Sequence, residues 1–167
     1  MLTTIENLKA IRDISANLKD QRIQPYIKEV EDAYVLPAIG AELYEKLDAG
    51  ETTDTILLDG GYYDKPSEKC AGGKTRARCY GIRLAVAFYA YARVLKNNQI
   101  NVTAFGVTQK TSPMSAPTGD EAIEDAVSEA RKMGDLYLHS CVEYLHRESW
   151  LRAPAHGGAK LKMEIIR

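Results

Sequence analysis

Three stretches of this chain place apolar residues at helical spacing. From near Gln21, the residues Ile23, Tyr26, Ile27, Val30, Ala33 and Tyr34 share one face, the signature of an amphipathic helix. Pro25 fits only within its opening turn, where backbone donors are unpaired anyway. Pro37 is expected to break that helix and start the next. The second stripe is Ala38, Ile39, Leu43, Tyr44 and Leu47, closed by Gly50. A third helix is predicted from Lys74 to Asn97, ended by Asn97-Asn98. Its centre, Leu84 to Ala92, has no polar face. Such a helix is buried all round or lies in a membrane, and the run is far short of the roughly 20 residues that span a bilayer. The pattern therefore predicts a central helix enclosed by other helices, by another subunit, or by both.

The fourth helix carries the clearest start signal. Thr118-Gly119-Asp120-Glu121 reads as a capping box, in which Thr118 receives the amide of Glu121 and Glu121 reaches back. Ile123, Val127, Ala130, Tyr137, Cys141 and Tyr144 then form a stripe running towards Trp150, with Gly134 a candidate bend. The intervening segments are less regular. Residues 1–19 suggest only a short helical turn around Ile5 and Leu8. Residues 50–73 read as a loop with an apolar anchor, Ile56-Leu57-Leu58, before the turn signal Asp59-Gly60-Gly61. Residues 99–117 predict an extended segment or short β arm. The expected fold is all-α: a helical bundle of about four main helices, with a short extended or β arm between the last two. Residues 1–150 form one helical domain, and 151–167 a tail that is either a docking arm or frayed.

Length and charge narrow the partners. A chain of 167 residues is one domain by size and buries about 70% of its unfolded surface. With 22 basic and 23 acidic residues and a formal charge of −1, no global field draws in nucleic acid or an acidic membrane. The basic residues are instead concentrated locally, at Lys65, Lys69, Lys74, Arg76, Arg78 and Arg83, with Glu68 the only acid in 65–83. That stretch can neutralise phosphates, although it lacks interleaved exposed aromatics and any recognised nucleic-acid motif. MLTTIENLKAIRDI has neither a basic leader nor an apolar core, so a secretory signal is not expected there. Three cysteines without a close pair fit a reducing compartment better than a disulfide framework. The ten tyrosines suit either the edges of an ordinary core or surfaces that become dry on assembly.

Catalytic and cofactor chemistry finds little support. His139, Cys141 and His146 are the nearest approach to a metal set, but Cys141 points away from the other two on a helix and no fourth ligand is placed. Gly72-Gly73-Lys74-Thr75 resembles the end of a phosphate loop, yet Glu68 stands where the first glycine belongs. Cys79 lies in a basic neighbourhood without a nameable base. The acidic groups Glu29/Glu31/Asp32 and Glu121/Glu124/Asp125 read as solvated helix faces rather than a desolvated acid–base pair. No enzyme activity, cofactor or metal is expected.

The order of elements carries a resemblance. Leu36-Pro37-Ala38-Ile39-Gly40-Ala41-Glu42-Leu43-Tyr44-Glu45-Lys46-Leu47 resembles the opening helix-turn-helix of head–tail connector (head-completion, adaptor) proteins of tailed bacteriophages, in the version found in phages and prophages of gut Bacteroides-type bacteria. The likeness continues through Leu57-Leu58-Asp59-Gly60-Gly61-Tyr62-Tyr63, the apolar helix from Gly81 to Leu95, Val102-Thr103-Ala104-Phe105-Gly106-Val107, and the last helix up to Tyr144-Leu145. It implies a virion protein of the neck, assembled in the bacterial cytoplasm as a homo-oligomeric ring. Such a ring sits under the portal protein, extends the DNA channel, and docks the tail or a second connector protein. DNA passes through without sequence-specific contact, and no membrane is involved. On that reading Lys69, Lys74, Arg76 and Arg78 are candidates to face the channel, and Phe105, Gly106, Val107 and Lys110 candidates for the subunit interface. The alternative is a helical DNA-binding or regulatory module that uses 65–83 as its contact.

Overall fold

A computed structural model describes residues 1–11, 20–66, 73–97, 100–103, 106–109 and 120–147. The chain is mostly helical with a minor β component. In order it forms α1 (Ile5–Ile11), α2 (Asp20–Val30), a π-helical segment (Glu31–Val35), α3 (Leu36–Ile39), α4 (Ala41–Asp48), α5 (Thr55–Asp59), β1 (Gly61–Pro66), β2 (Lys74–Cys79), α6 (Ile82–Asn97), β3 (Ile100–Thr103), β4 (Gly106–Gln109) and α7 (Asp120–Arg147).

The apolar helix α6 is the axis. It packs against α7, α2, α1, α5 and the π-helical segment, and Ala85, Val86, Ala87, Tyr89 and Ala90 are all buried in the main core. The chain itself buries every residue of this run except the half-buried Leu84 and Tyr91, so its lack of a polar face does not by itself require a neighbouring subunit. α7 runs unbroken past Gly134, which serves packing there. A Cβ at Gly134 would lie 2.8 Å from the Tyr89 ring. That ring is fixed by stacking on Tyr34 at 4.3 Å between centroids and by donating from its hydroxyl to Asp135 at 2.5 Å. Gly134→Ala is expected to cost about 2 kcal/mol by forcing the ring from its stack, measurable as a shift in urea midpoint at constant m-value.

The first helical pair departs from expectation in a specific way. Ile23, Ile27 and Val30 are buried as predicted, but Ala33 is exposed and Val35 is buried in its place. The π-helical turn over Glu31–Val35 absorbs one extra residue and so rotates the apolar stripe onward. Pro37 does not break the helix: it occupies the first turn of α3, and the break falls at Gly40, with φ +84° and ψ +151°. The N-terminal residues, read as weakly patterned, are tied down, with Leu2 and Leu8 buried.

Two hairpins complete the fold. β1 and β2 are antiparallel, with Tyr62 opposite Arg78, Asp64 opposite Arg76 and Pro66 opposite Lys74. The predicted helix over Lys74–Asn97 is therefore corrected: its first six residues are a strand, and the helix begins only at Ile82. β3 and β4 pair antiparallel, Val102 opposite Val107, and form the β arm expected between the last two long helices. The predicted capping residues Thr118 and Gly119 and the tail 151–167 lie outside the described residues.

Candidate nucleic-acid interface

The β1–β2 hairpin has two chemically distinct faces because side chains alternate along a strand. Tyr63 and Cys79 point into the core, and both are buried. Tyr63 meets the Tyr144 ring edge-on at 5.0 Å between centroids. Beyond the strand's end, the Tyr80 amide donates to Ser140 Oγ at 3.0 Å, and the Tyr80 and Tyr137 rings lie 4.8 Å apart. Asp54 reinforces this base. It accepts the Leu57 amide that starts α5 and, on its other oxygen, the Tyr144 hydroxyl at 2.9 Å. The hairpin is thus held to α7 and α5 through its inner face and through Tyr80.

The outer face carries Lys74, Arg76 and Arg78 on β2, all exposed, with Tyr62 beside them on β1 at 56% exposure. The Arg76 guanidinium carbon lies 4.7 Å from the Tyr62 ring centroid. Arg78 lies between two rings, 5.7 Å from that of Tyr62 and 4.8 Å from that of Tyr80. Each such contact contributes about 0.5–1 kcal/mol at an exposed site and limits the sweep of a long cationic side chain. Asp64 sits opposite Arg76 and is the one acid on this face among the described residues of the hairpin. Two guanidinium groups held at an exposed ring, with Lys74 further along the same strand face, have the chemistry that can meet phosphate oxygens through charge-assisted hydrogen bonds.

Sequence reasoning located this segment but misjudged its setting. Lys74, Arg76 and Arg78 are together on one strand face, and the interleaved aromatics judged missing are supplied by Tyr62 and Tyr80. The strict alternation Lys74-Thr75-Arg76-Ala77-Arg78-Cys79 was the available signal, since it has the period of a strand and not of a helix. Arg83 leaves the cluster: its Nε donates to the Leu2 carbonyl at 3.0 Å and its Nη1 pairs with Asp59. Lys69, Phe105 and Lys110 lie outside the described residues, whereas Gly106 and Val107 open strand β4.

The other sites considered resolve differently. His139 is exposed and lies 3.7 Å from Glu143, while Cys141 is buried on the opposite side against Cys79. Among the described residues no group of metal-ligating side chains converges, and no helix is long and apolar enough to cross a membrane. Glu31 corrects the reading of solvated acids. It is fully buried and accepts the amides of Leu2 and Thr3 at 2.7 and 3.1 Å and the Tyr44 hydroxyl at 2.9 Å. Its carboxylate fastens the N-terminus to the core and is fully occupied in doing so.

A family model for DUF6712, a family of unknown function, matches residues 35–151. The chain belongs to this family. The matched region starts at the end of the π-helical segment and contains both hairpins, α6 and α7, so the basic face lies within the DUF6712 region and the Glu31 latch just outside it. No curated protein and no solved structure matches the chain.

Proposed function

We propose that this protein is a structural, non-catalytic component of a phage virion: a head–tail connector that forms a ring under the portal and carries the DNA channel towards the tail. The reading makes α2 with its π-helical extension, α4, α6 and α7 the four main helices of the connector bundle, and the β1–β2 hairpin its contact with DNA. The observation that carries it is the outer hairpin face, where Lys74, Arg76 and Arg78 stand on one side of a strand and the two arginines lie against Tyr62. Such a face neutralises phosphates without reading bases, which is what a channel wall needs. The connector-like segments support the assignment. From Leu36 to Leu145 they occupy, in order, the α3–α4 pair, the α5–β1 junction, α6, the second hairpin and α7, all inside the DUF6712 region. Ring partners, a portal protein, and a tail or second connector protein follow from that resemblance, as does location in the virion neck.

Native mass measurement and negative-stain imaging test the assembly, with the protein alone and mixed with a portal protein. A closed ring in either condition is the expected result; a strict monomer in both overturns the connector reading. The hairpin is tested separately. The double variant Arg76→Glu/Arg78→Glu is expected to weaken binding to duplex DNA at low salt by about 100-fold, and to reduce the slope of log K against log salt by about 2. Fluorescence anisotropy across a salt series reads both. Tight binding to one DNA sequence by a monomer would instead favour the regulatory-module alternative, because backbone contacts carry no sequence information.

A further inference from the structure

Cys79 ends strand β2, Cys141 lies in the last third of α7, and their side chains meet in the core. The two sulfur atoms are 3.6 Å apart across a separation of 62 residues, in hydrogen-bond contact. Both side chains are fully buried and neither is bonded to another cysteine. Nothing in the basic hairpin's chemistry uses them, and a hydrophobic residue would fill either position as well. Their juxtaposition is also where the hairpin is attached: the neighbouring residues Tyr80 and Ser140 are joined by the amide-to-hydroxyl bond at 3.0 Å.

We propose that Cys79 and Cys141 form a reversible intrachain disulfide that locks the base of the β1–β2 hairpin onto α7 when the protein meets a peroxide-class oxidant. The inference is independent of the connector reading, since it rests only on the thiol pair. The two thiols differ in reactivity. The sulfur–sulfur contact lowers the pKa of Cys79, whereas that same contact and then burial push Cys141 well above an ordinary thiol. Cys79 is accordingly the attacking sulfur. Its thiolate attacks one oxygen of hydrogen peroxide; the O–O bond breaks, and the departing hydroxide takes up the proton lost by the thiol to become water. The Cys79 sulfenic acid is then attacked by Cys141 sulfur; the S–O bond breaks, and the hydroxyl leaves as water with the Cys141 proton. Two thiols and one peroxide become one disulfide and two waters, the sulfur pair losing two electrons. Because both sulfurs are buried, a small oxidant reaches them only when β2 opens from α7, so the rate of oxidation reports that opening.

The experiment uses the full chain carrying Cys70→Ser, which leaves Cys79 and Cys141 as its only cysteines. After peroxide treatment under native conditions, intact mass is expected to fall by about 2 Da, the two thiol hydrogens. Tm is expected to rise by about 10 °C, as for closure of a loop of this length in a chain of this size. Dithiothreitol is expected to reverse both changes. Adding Cys79→Ser or, separately, Cys141→Ala abolishes the mass fall. In the unmutated chain, non-reducing peptide mapping is expected to recover the peptide pair joined through Cys79 and Cys141, which keeps the test valid if a core variant misfolds. Gain of oxygen mass without loss of two hydrogens, a cross-linked dimer as the main product, or formation of the bond only after denaturation each overturns the proposal.

Discussion

Replacing Gly81 by alanine is expected to destabilise the protein by about 4 kcal/mol, combining the strain of a side chain at positive φ with overpacking. Gly81 has φ +92°, and a Cβ there would lie 2.6 Å from the Gly60 nitrogen, 2.7 Å from the Asp59 carbonyl carbon and 2.8 Å from the Leu58 oxygen. All three are backbone atoms, so no rotamer change relieves the contact. Gly60 meets the same junction from the other side: at φ +92°, its Cβ would stand 2.6 Å from the Tyr80 oxygen. The turn that leads from α5 into β1 and the turn that leads from β2 into α6 are pressed backbone to backbone here, which lets the hairpin leave the core and return within one narrow crossing. Gly50→Ala is the matched control. Gly50 also has positive φ, +73°, but nothing lies within 4 Å of its Cβ position, so about 1 kcal/mol of backbone strain is expected. Urea unfolding of the two variants separates close approach from conformational strain. Equal losses would show that the crossing can widen without penalty. Since the whole domain is stable by only about 5–15 kcal/mol, the Gly81 variant is expected to be partly unfolded at 37 °C.

Loss of the Glu31 carboxylate is the second large effect. Glu31→Ala removes the acceptor for the Leu2 and Thr3 amides and for the Tyr44 hydroxyl, leaving three donors at largely buried residues. An orphaned buried donor costs about 1–3 kcal/mol, and partial relaxation of the N-terminus brings the expected total to about 4 kcal/mol. Tyr44→Phe removes only one of these bonds and is expected to cost about 1–2 kcal/mol. In a double-mutant cycle the two losses are therefore less than additive, as expected for groups that share a partner. Hydrogen exchange provides a local readout, because the amides of Leu2 and Thr3 should lose protection in Glu31→Ala and keep it in Tyr44→Phe. Retained protection at both amides in Glu31→Ala would refute the latch.

The latch also accounts for the π-helical segment. A regular helix from Asp20 would carry the apolar stripe to Ala33 and Tyr34, and residue 31 would fall beside it. The wide turn keeps Val30 and Glu31 both buried and brings Val35, five residues after Val30, back to the core. A hydrogen-bonding need inside the protein thereby shifts a helix register that local pattern alone predicts otherwise.

The apolar periodicities of α2, α4 and α7 were legible from residue order, because each reflects burial of one face and burial repeats with the turn of the helix, and α6 was legible as a continuous apolar run. The β arm after α6 and the turn at Asp59-Gly60-Gly61 were legible from different local signals, strand-like composition in the first and turn-forming residues in the second. So was the basic concentration that became the candidate interface, although its shape was not. The strand identity of Lys74–Cys79 depends on a partner, Gly61–Pro66, lying before the undescribed residues 67–72, and lysine and arginine fit helices well when taken alone. What only the tertiary structure decided joins residues far apart in sequence: Glu31 to Leu2 and Thr3, Gly60 to Gly81, Tyr144 to Asp54, and Cys79 to Cys141 across 62 positions. Residue order records which faces prefer to leave water, and so determines the helices. Directional contacts between polar groups, thiols and bare backbone depend on where those helices come to rest, and no local pattern encodes that.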